Sequence, residues 1–163
     1  MPPIEIERKF LIRSDSWKSD VKSAMQIKQG YLSQETSCSI RVRISGDEAW
    51  LNMKGVTVGA QRVEFEYPIP VSDAHYMLDA LTCKPIIEKT RYLLEAGQHT
   101  WEIDVFHGDN AGLVVAEIEL DAPDEAFLKP EWLGAEVTQD PRYYNTCLSS
   151  HPYNQWRTED AKT

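Results

Sequence analysis

Ile4-Glu5-Ile6-Glu7-Arg8-Lys9-Phe10-Leu11-Ile12 alternates apolar and charged side chains along nearly its whole length. A period of two belongs to a β-strand whose two faces meet different surroundings. Glu5, Glu7 and Lys9 share one face, while Ile4, Ile6, Phe10 and Ile12 mark the other. The pattern recurs down the chain, and each time the polar phase is charged rather than merely hydrophilic. Arg41 and Arg43 alternate with Ile40, Val42 and Ile44; Asn52 and Lys54 oppose Leu51 and Met53. Arg62, Glu64 and Glu66 oppose Val63, Phe65 and Tyr67, and Lys89 shares a phase with Arg91. Glu102 and Asp104 alternate with Trp101, Ile103 and Val105, as Glu117 and Glu119 do with Ala116, Ile118 and Leu120. A less regular strand is expected near Ile27 to Leu32.

Between the strands lie a few helix signals. Ser14 or Asp15 can cap a helix running to about Met25, and Ser72 can cap Asp73 to Leu81, with Ala74, Met77, Leu78 and Leu81 as its apolar stripe. Asp140-Pro141 suits the start of a last helix through about Ser149. Turns fit at Ser45-Gly46-Asp47, Gly55 to Gly59, Ala96-Gly97 and Gly108-Asp109-Asn110, and the segment after Pro152 reads as a polar, frayed tail. With about eight strands and short connections, closure into an antiparallel barrel removes the sheet edges. The helices' apolar stripes then need the barrel's outer surface, which leaves the charged phase lining the lumen. A barrel of that size is just wide enough for side chains or one small ligand, so its occupant must be highly ionic.

Composition sets limits. A length of 163 residues suits one domain. No apolar run approaches the ~20 residues of a membrane span, and no apolar stretch with a cleavage site follows Met1, so a cytoplasmic location is expected. Cys38, Cys83 and Cys147 are far apart and lack CxxC spacing, which suggests neither a disulfide framework nor a zinc site. The formal charge of −9 repels nucleic acid and anionic membranes at long range. An anionic ligand must therefore be drawn in locally, by basic residues gathered on one internal surface or by bridging cations.

The strand charges can do both. Alternate residues of a strand lie nearly 7 Å apart, so Glu5 with Glu7, Glu64 with Glu66, or Glu117 with Glu119 can bracket a hard cation. Carboxylates without a histidine pair or thiolates favour Mg²⁺ or Mn²⁺ over zinc. Arg41, Arg43, Lys54, Lys89 and Arg91 supply guanidinium forks and ammonium groups for phosphate oxygens. Any one such pair fits a solvent-exposed face equally well. Repetition argues against that, because a solvated sheet mixes signs and includes Ser, Thr and Gln. His75, His99, His107 and His151 read as surface or satisfied core residues, and the tryptophans mostly as packing residues.

Glu5-Ile6-Glu7-Arg8-Lys9 resembles the ExExK signature of the CYTH superfamily, the triphosphate tunnel metalloenzymes. The resemblance continues in the family's order through Gly30-Tyr31-Leu32, Arg41-Val42-Arg43, Met53-Lys54-Gly55, Glu64-Phe65-Glu66-Tyr67, Glu88-Lys89-Thr90-Arg91-Tyr92, Trp101-Glu102-Ile103-Asp104, Ala116-Glu117-Ile118-Glu119 and Glu136-Val137-Thr138. It implies a mainly β (α+β) fold, an eight-stranded closed antiparallel tunnel with helices packed outside, over residues 1–150, with 151–163 as a tail. It also implies roles. Glu5, Glu7, Glu117 and Glu119 would be metal ligands, with Glu102 and Asp104 as further ligands. Lys9, Arg41, Arg43, Lys54, Lys89 and Arg91 would cradle phosphate, and Lys9, Glu64, Glu66 and Lys89 would take part in the catalytic step, the two carboxylates as ligands or water-orienting groups. Asn52 departs from the family's pattern, where Thr or a similar residue often stands. The final helix, with Arg142, Tyr143 and Tyr144, resembles an element that packs near one tunnel mouth.

The same tunnel serves several reactions, and the compact form most resembles the inorganic triphosphatase branch. That implies Mg²⁺-dependent hydrolysis of tripolyphosphate, with Mn²⁺ as the alternative metal. A class IV adenylate cyclase, a thiamine triphosphatase and a non-catalytic polyphosphate-binding module are the other readings. The implied partner is a triphosphate-containing small molecule, with neither nucleic acid nor membrane; a homodimer is compatible with it.

Overall fold

The computed structural model describes residues 2–156. Nine strands form one antiparallel sheet: β1 (Ile4–Ile12), β2 (Ser23–Glu35), β3 (Cys38–Ser45), β4 (Glu48–Lys54), β5 (Gln61–Ile69), β6 (Ile87–Ala96), β7 (His99–Phe106), β8 (Val114–Glu119) and β9 (Leu133–Glu136). Their order is β5-β4-β3-β2-β6-β7-β8-β1, and β1 returns to β5 to close an eight-stranded barrel. The ninth strand is an addition. β1 meets β5 only over Ile4 to Ile6 and gives the later part of the same edge to β9, at Phe10 and Ile12. That divided edge is the barrel's seam. Helix α1 (Val71–Ala80) lies outside, against β3 and β4, and the short α2 (Asn145–Ser150) sits beside β2 and β6. Among the described residues no helix is long and apolar enough to cross a membrane.

Each strand splits its side chains as the alternation requires. The outer phases of β1, β6, β7 and β8 carry Phe10, Leu94, Trp101, Ile103, Ala116 and Ile118, covered by Trp17, Trp132 and Leu133. Trp101 is fully buried and meets Phe10, Phe127 and Trp132 edge to face, with centroids at 5.6, 5.7 and 5.3 Å. A second coat joins Val42, Ile44 and Ala49 to Ala74 and Leu78 of α1. The third cluster belongs to the inner phase. Tyr31, Ile87, Phe106 and Val115 point along the barrel's interior and meet Leu113, Tyr143 and Leu148, so the C-terminal segment stoppers one end of the lumen with apolar side chains.

Several local expectations are corrected. The chain does not continue as a helix to Met25: a 3₁₀ turn spans Ser16–Asp20, and β2 begins at Ser23. Residues 23–29 find a continuous ladder on β6, from Ser23 opposite Leu93 to Gln29 opposite Ile87, and this non-local pairing overrides local helix preference. Trp17 is thereby left as the cover for the outer coat. The strand expected at Ile27 to Leu32 is thus the longest in the barrel, at 13 residues. α1 starts after Pro70 without a side-chain cap, and Leu81 is 56% exposed rather than part of its buried stripe. The last helix is interrupted. Asp140 accepts from the Arg142 amide and caps a 3₁₀ turn at Pro141–Tyr143, Tyr144 is extended, and only then does α2 begin. Tyr153 and Trp156 pack with Tyr143, so the stretch after Pro152 is ordered to Trp156; its remainder, 157–163, lies outside the described residues.

One glycine is dictated by close approach. A Cβ on Gly134 of β9 would come within 2.8 Å of the Leu11 carbonyl oxygen, so the graft of β9 onto β1 needs that position bare. The outer coat's weight can be measured. Trp101→Ala is expected to destabilise the protein by about 3–5 kcal/mol in urea unfolding, because a closed coat of aromatic rings cannot collapse into the space.

Candidate active site

The strand register carries the charges to one cavity. Glu7 of β1 lies opposite Glu119 of β8, Lys9 opposite Glu117, Lys54 of β4 opposite Glu64 of β5, and Arg91 of β6 opposite Asp104 of β7. All of these are on the inner phase. The cavity, of about 170 Å³, is lined by seven carboxylates, five cationic side chains and Asn145, with no apolar side chain.

One wall is acidic. Glu5, Glu7 and Glu119 each offer a carboxylate oxygen, all within 4.8 Å of one another. Burial, then Glu117 and Glu5, pushes the Glu7 carboxyl up to about 8. Burial, then Glu5, Glu102 and Glu64, raises Glu119 to about 7. Glu5 goes the other way: burial would raise it, but Lys54 at 3.2 Å and Arg62 at 3.6 Å bring it below the usual carboxylate value. Three oxygens this close, two on groups that resist ionising alone, suit a hard divalent cation, which removes both the repulsion and the desolvation penalty.

The facing wall is basic, and each cation is held by a neutral or acidic partner. Arg41 donates from Nε to Asn52 Oδ1 at 3.4 Å, and Asn52 Nδ2 donates to Glu66 at 2.7 Å. Arg43 donates from Nε to Gln29 Oε1 at 2.8 Å. Fixing each Nε leaves the guanidinium's outer nitrogens for a ligand. Burial, then the neighbouring Arg41 and Arg91, lowers the Arg43 pKa, which marks a place short of negative charge. Lys54 bridges Glu5 and Glu64, at 3.2 and 3.1 Å.

Beneath the cavity lies a closed network. Asp104, fully buried, accepts from Arg91 Nε at 2.8 Å, Arg91 Nη2 at 3.0 Å and Lys89 Nζ at 2.8 Å. Burial opposes ionisation, yet Arg91 and Lys89 hold Asp104 far below the ordinary carboxylate range. Burial would likewise raise Glu117, but Lys9 at 3.4 Å and Arg91 bring it down to about 2. Arg91 also donates to Glu102 at 3.0 Å. Lys9 Nζ donates to the Tyr143 carbonyl at 3.1 Å, which ties β1 to the stopper.

This geometry, an acidic triad facing a braced basic wall inside a closed barrel, sits on a chain whose residues 3–144 match the CYTH domain. The protein belongs to the CYTH family. Two curated relatives are named inorganic triphosphatase. One, from Acetivibrio thermocellus, is 45% identical over 153 residues, covering 94% of this chain and 97% of the relative. The other, from Nitrosomonas europaea, is 37% identical over 150 residues, covering 89% and 96%. A crystal structure of an inorganic triphosphatase superposes with a TM-score of 0.64 at 34% identity, over 89% of this chain and 97% of that one.

Most of the residues singled out by strand phase line the barrel cavity: Glu5, Glu7, Glu64, Glu66, Glu102, Glu117 and Glu119, with Arg41, Arg43, Lys54 and Arg91. Lys89 and Asp104 stand behind this lining, in the network below, and Lys9 borders a smaller adjoining opening of about 50 Å³ near the seam. Strand phase also held a signal for Arg62, which shares the face of Glu64 and Glu66 and lines both cavities. Strand phase puts Asn52 on the inner face beside Lys54 without assigning it a role, whereas Gln29 and Asn145 are not legible as site residues, since an amide carries no charge to mark it.

The acidic wall has a measurable consequence without any ligand. A carboxyl whose pKa is raised on folding stabilises the folded state below its unfolded value, and that contribution is lost as pH rises through the folded pKa. For Glu7 and Glu119 the loss falls between the ordinary 4.5 and about 8. The lowered groups Glu5, Asp104 and Glu117 contribute no slope there. Metal-free protein should show a falling urea midpoint from about pH 5 to 7, below the range in which Lys89, its pKa lowered to about 7 by burial, adds a slope of the opposite sign. A midpoint that rises from about pH 5 to 7 would contradict the placement of the triad.

Proposed function

We propose that the chain hydrolyses inorganic triphosphate to pyrophosphate and phosphate, with Mg²⁺ held by Glu5, Glu7 and Glu119, and that Mn²⁺ can replace it. The observation that carries this reading is the composition of the main cavity's wall, charged groups of both signs and one amide with no apolar or aromatic side chain, the rings of Tyr31 and Tyr144 lining the smaller adjoining opening instead. The triphosphatase names of relatives at 45% and 37% identity support it. Charge balance argues for the metal. Seven carboxylates against five cations leave the lining net negative when all are ionised, so a polyanion is unwelcome until a divalent cation is present. A bound cation supplies neutralisation of phosphate oxygens and a lowered pKa for coordinated water.

The chain's own residues do the rest. Arg41, Arg43, Lys54 and Arg91 bind non-bridging oxygens and lay the phosphate chain along the basic wall, with Lys9 and Lys89 adding point charges from below. Asn52, Gln29 and Asp104 keep those cations aimed before substrate arrives, so less ordering remains at binding. Glu64 and Glu102, both raised by burial, are suited to accept the proton of the attacking water. Glu66, held by Asn52, orients that water, and Glu117 sets Lys9 and Arg91. Asp104 acts in this reading as the brace of Lys89 and Arg91, both its oxygens being engaged there. The protein would work in a reducing compartment, with its three cysteines free, and without nucleic acid or membrane.

Chelator should abolish phosphate release, and Mg²⁺ or Mn²⁺ should restore it. Glu7→Gln should lower kcat/KM by at least about 100-fold, the cost of removing a transition-state charge contact, while raising the stability of the metal-free protein near pH 9, where the native carboxylate is repelled. Full activity in chelator would end the metal proposal.

Substrate identity is tested side by side at saturating Mg²⁺. The kcat/KM for tripolyphosphate should exceed that for ATP by at least roughly tenfold, about 1.4 kcal/mol of transition-state binding. Equal efficiencies, or cyclic AMP as the main product from ATP, would favour a nucleotide enzyme instead.

A further inference from the structure

The interrupted last helix places one side chain that no charge pattern marks. Asn145 begins α2 and reaches the barrel's interior, where it meets Gln29 of β2 and Lys89 of β6. Gln29 Nε2 donates to its Oδ1 at 3.0 Å, and Lys89 Nζ donates to the same oxygen at 3.2 Å. Two donors on one oxygen settle which way the amide faces, because a flipped amide would set its own N–H groups against an amide N–H and an ammonium. Nδ2 therefore turns away from both, and no hydrogen bond occupies it among the described residues. It is not sealed off from the site: Asn145 lines both the main cavity and the smaller opening at the seam.

We propose that Asn145 is a substrate-binding residue, donating from Nδ2 to a non-bridging oxygen of the polyphosphate at the inner end of the cradle. A neutral donor suits this position. Arg41, Arg43 and Arg91 already crowd one another there, as the lowered Arg43 pKa reflects, and a further cation would deepen the repulsion where an amide adds a phosphate contact without charge. The same amide chain runs on through Gln29 to Arg43 Nε at 2.8 Å. The C-terminal segment is thereby part of the phosphate site as well as its stopper.

The inference rests on the triphosphatase reading, and two variants of the full chain test it. Asn145→Ala removes donor and acceptor without adding charge; Asn145→Asp keeps an oxygen for Gln29 and Lys89 but loses the donor. Binding of tripolyphosphate is measured by calorimetry with Mg²⁺, hydrolysis in parallel, and folding by thermal melts. Both variants should bind at least about tenfold more weakly, the low end for a hydrogen bond to a charged group, while the Asp variant melts near the wild-type temperature. Because Asp also adds a negative charge beside the polyanion, Thr146→Asp, one residue on at the adjoining opening, serves as the charge control, and a purely structural Asn145 predicts that Asn145→Asp loses no more affinity than Thr146→Asp. That result, or an Ala variant that binds within about twofold of wild type, overturns the proposal. Wild-type protein that binds tripolyphosphate without cleaving it would sink the hydrolase reading while the two affinities still judge Asn145; wild-type protein that does not bind it would sink both.

Discussion

The bidentate pair between Arg91 and Asp104, with Lys89 on the same carboxylate, is the contact on which the charged interior rests. Moving charges out of water costs several kcal/mol per ion, and only close geometry and full hydrogen bonding recover it. Both Asp104 oxygens are used, and Arg91 continues to Glu102 and toward Glu117. Replacing Asp104 with a neutral residue would strand two buried cations, a loss of about 3–5 kcal/mol for each broken buried pair. The network is therefore both the floor of the site and a condition for the barrel to fold around it.

Stability comes from elsewhere in the same strands. The outer coats around Trp101 and against α1 bury the apolar phases, leaving the inner phases free for charge. Along the axis the inner phase changes character in order. On β1 it runs Glu5, Glu7, Lys9, Leu11; on β7 Glu102, Asp104, Phe106; on β8, read backward, Glu119, Glu117, Val115. Acidic groups gather at one end, a mixed braced layer follows, and apolar side chains under Tyr143 and Leu148 close the other end. On the proposed reading a polyanion meets first the carboxylates that would hold a metal and then cations that are already paired and aimed.

Those carboxylates weaken the fold they belong to. Glu7 and Glu119 are raised because each is partly desolvated beside other acids, and nothing within the chain relieves them fully. Sites built to complement a charged ligand commonly carry such unrelieved strain in its absence. The opposite imbalance exists at Arg43. A metal–phosphate complex answers both at once, which is why the cavity reads as complementary to that pair and to neither ion alone.

The period-two alternation by itself determined the barrel strands, the charged inner face and most of the lining, from Glu5 to Glu119. Alternation is a local property, and closure then forces every inner phase into one volume. It could not reveal that residues 23–25 are strand, because their preference is set by the partner ladder on β6. Nor could it show that β1 divides one edge between β5 and β9, or that Asp104 and Lys89 lie beneath the lining, since depth along the axis depends on register between strands far apart in sequence. Asn145 shows the limit most clearly. It lies on no strand and has no charge, and it meets Gln29 only because a break at Tyr144 turns the last helix back across 116 residues of sequence separation. Charge and periodicity are written residue by residue; hydrogen-bond partnership between neutral groups exists only once the chain has brought them to within about 3 Å.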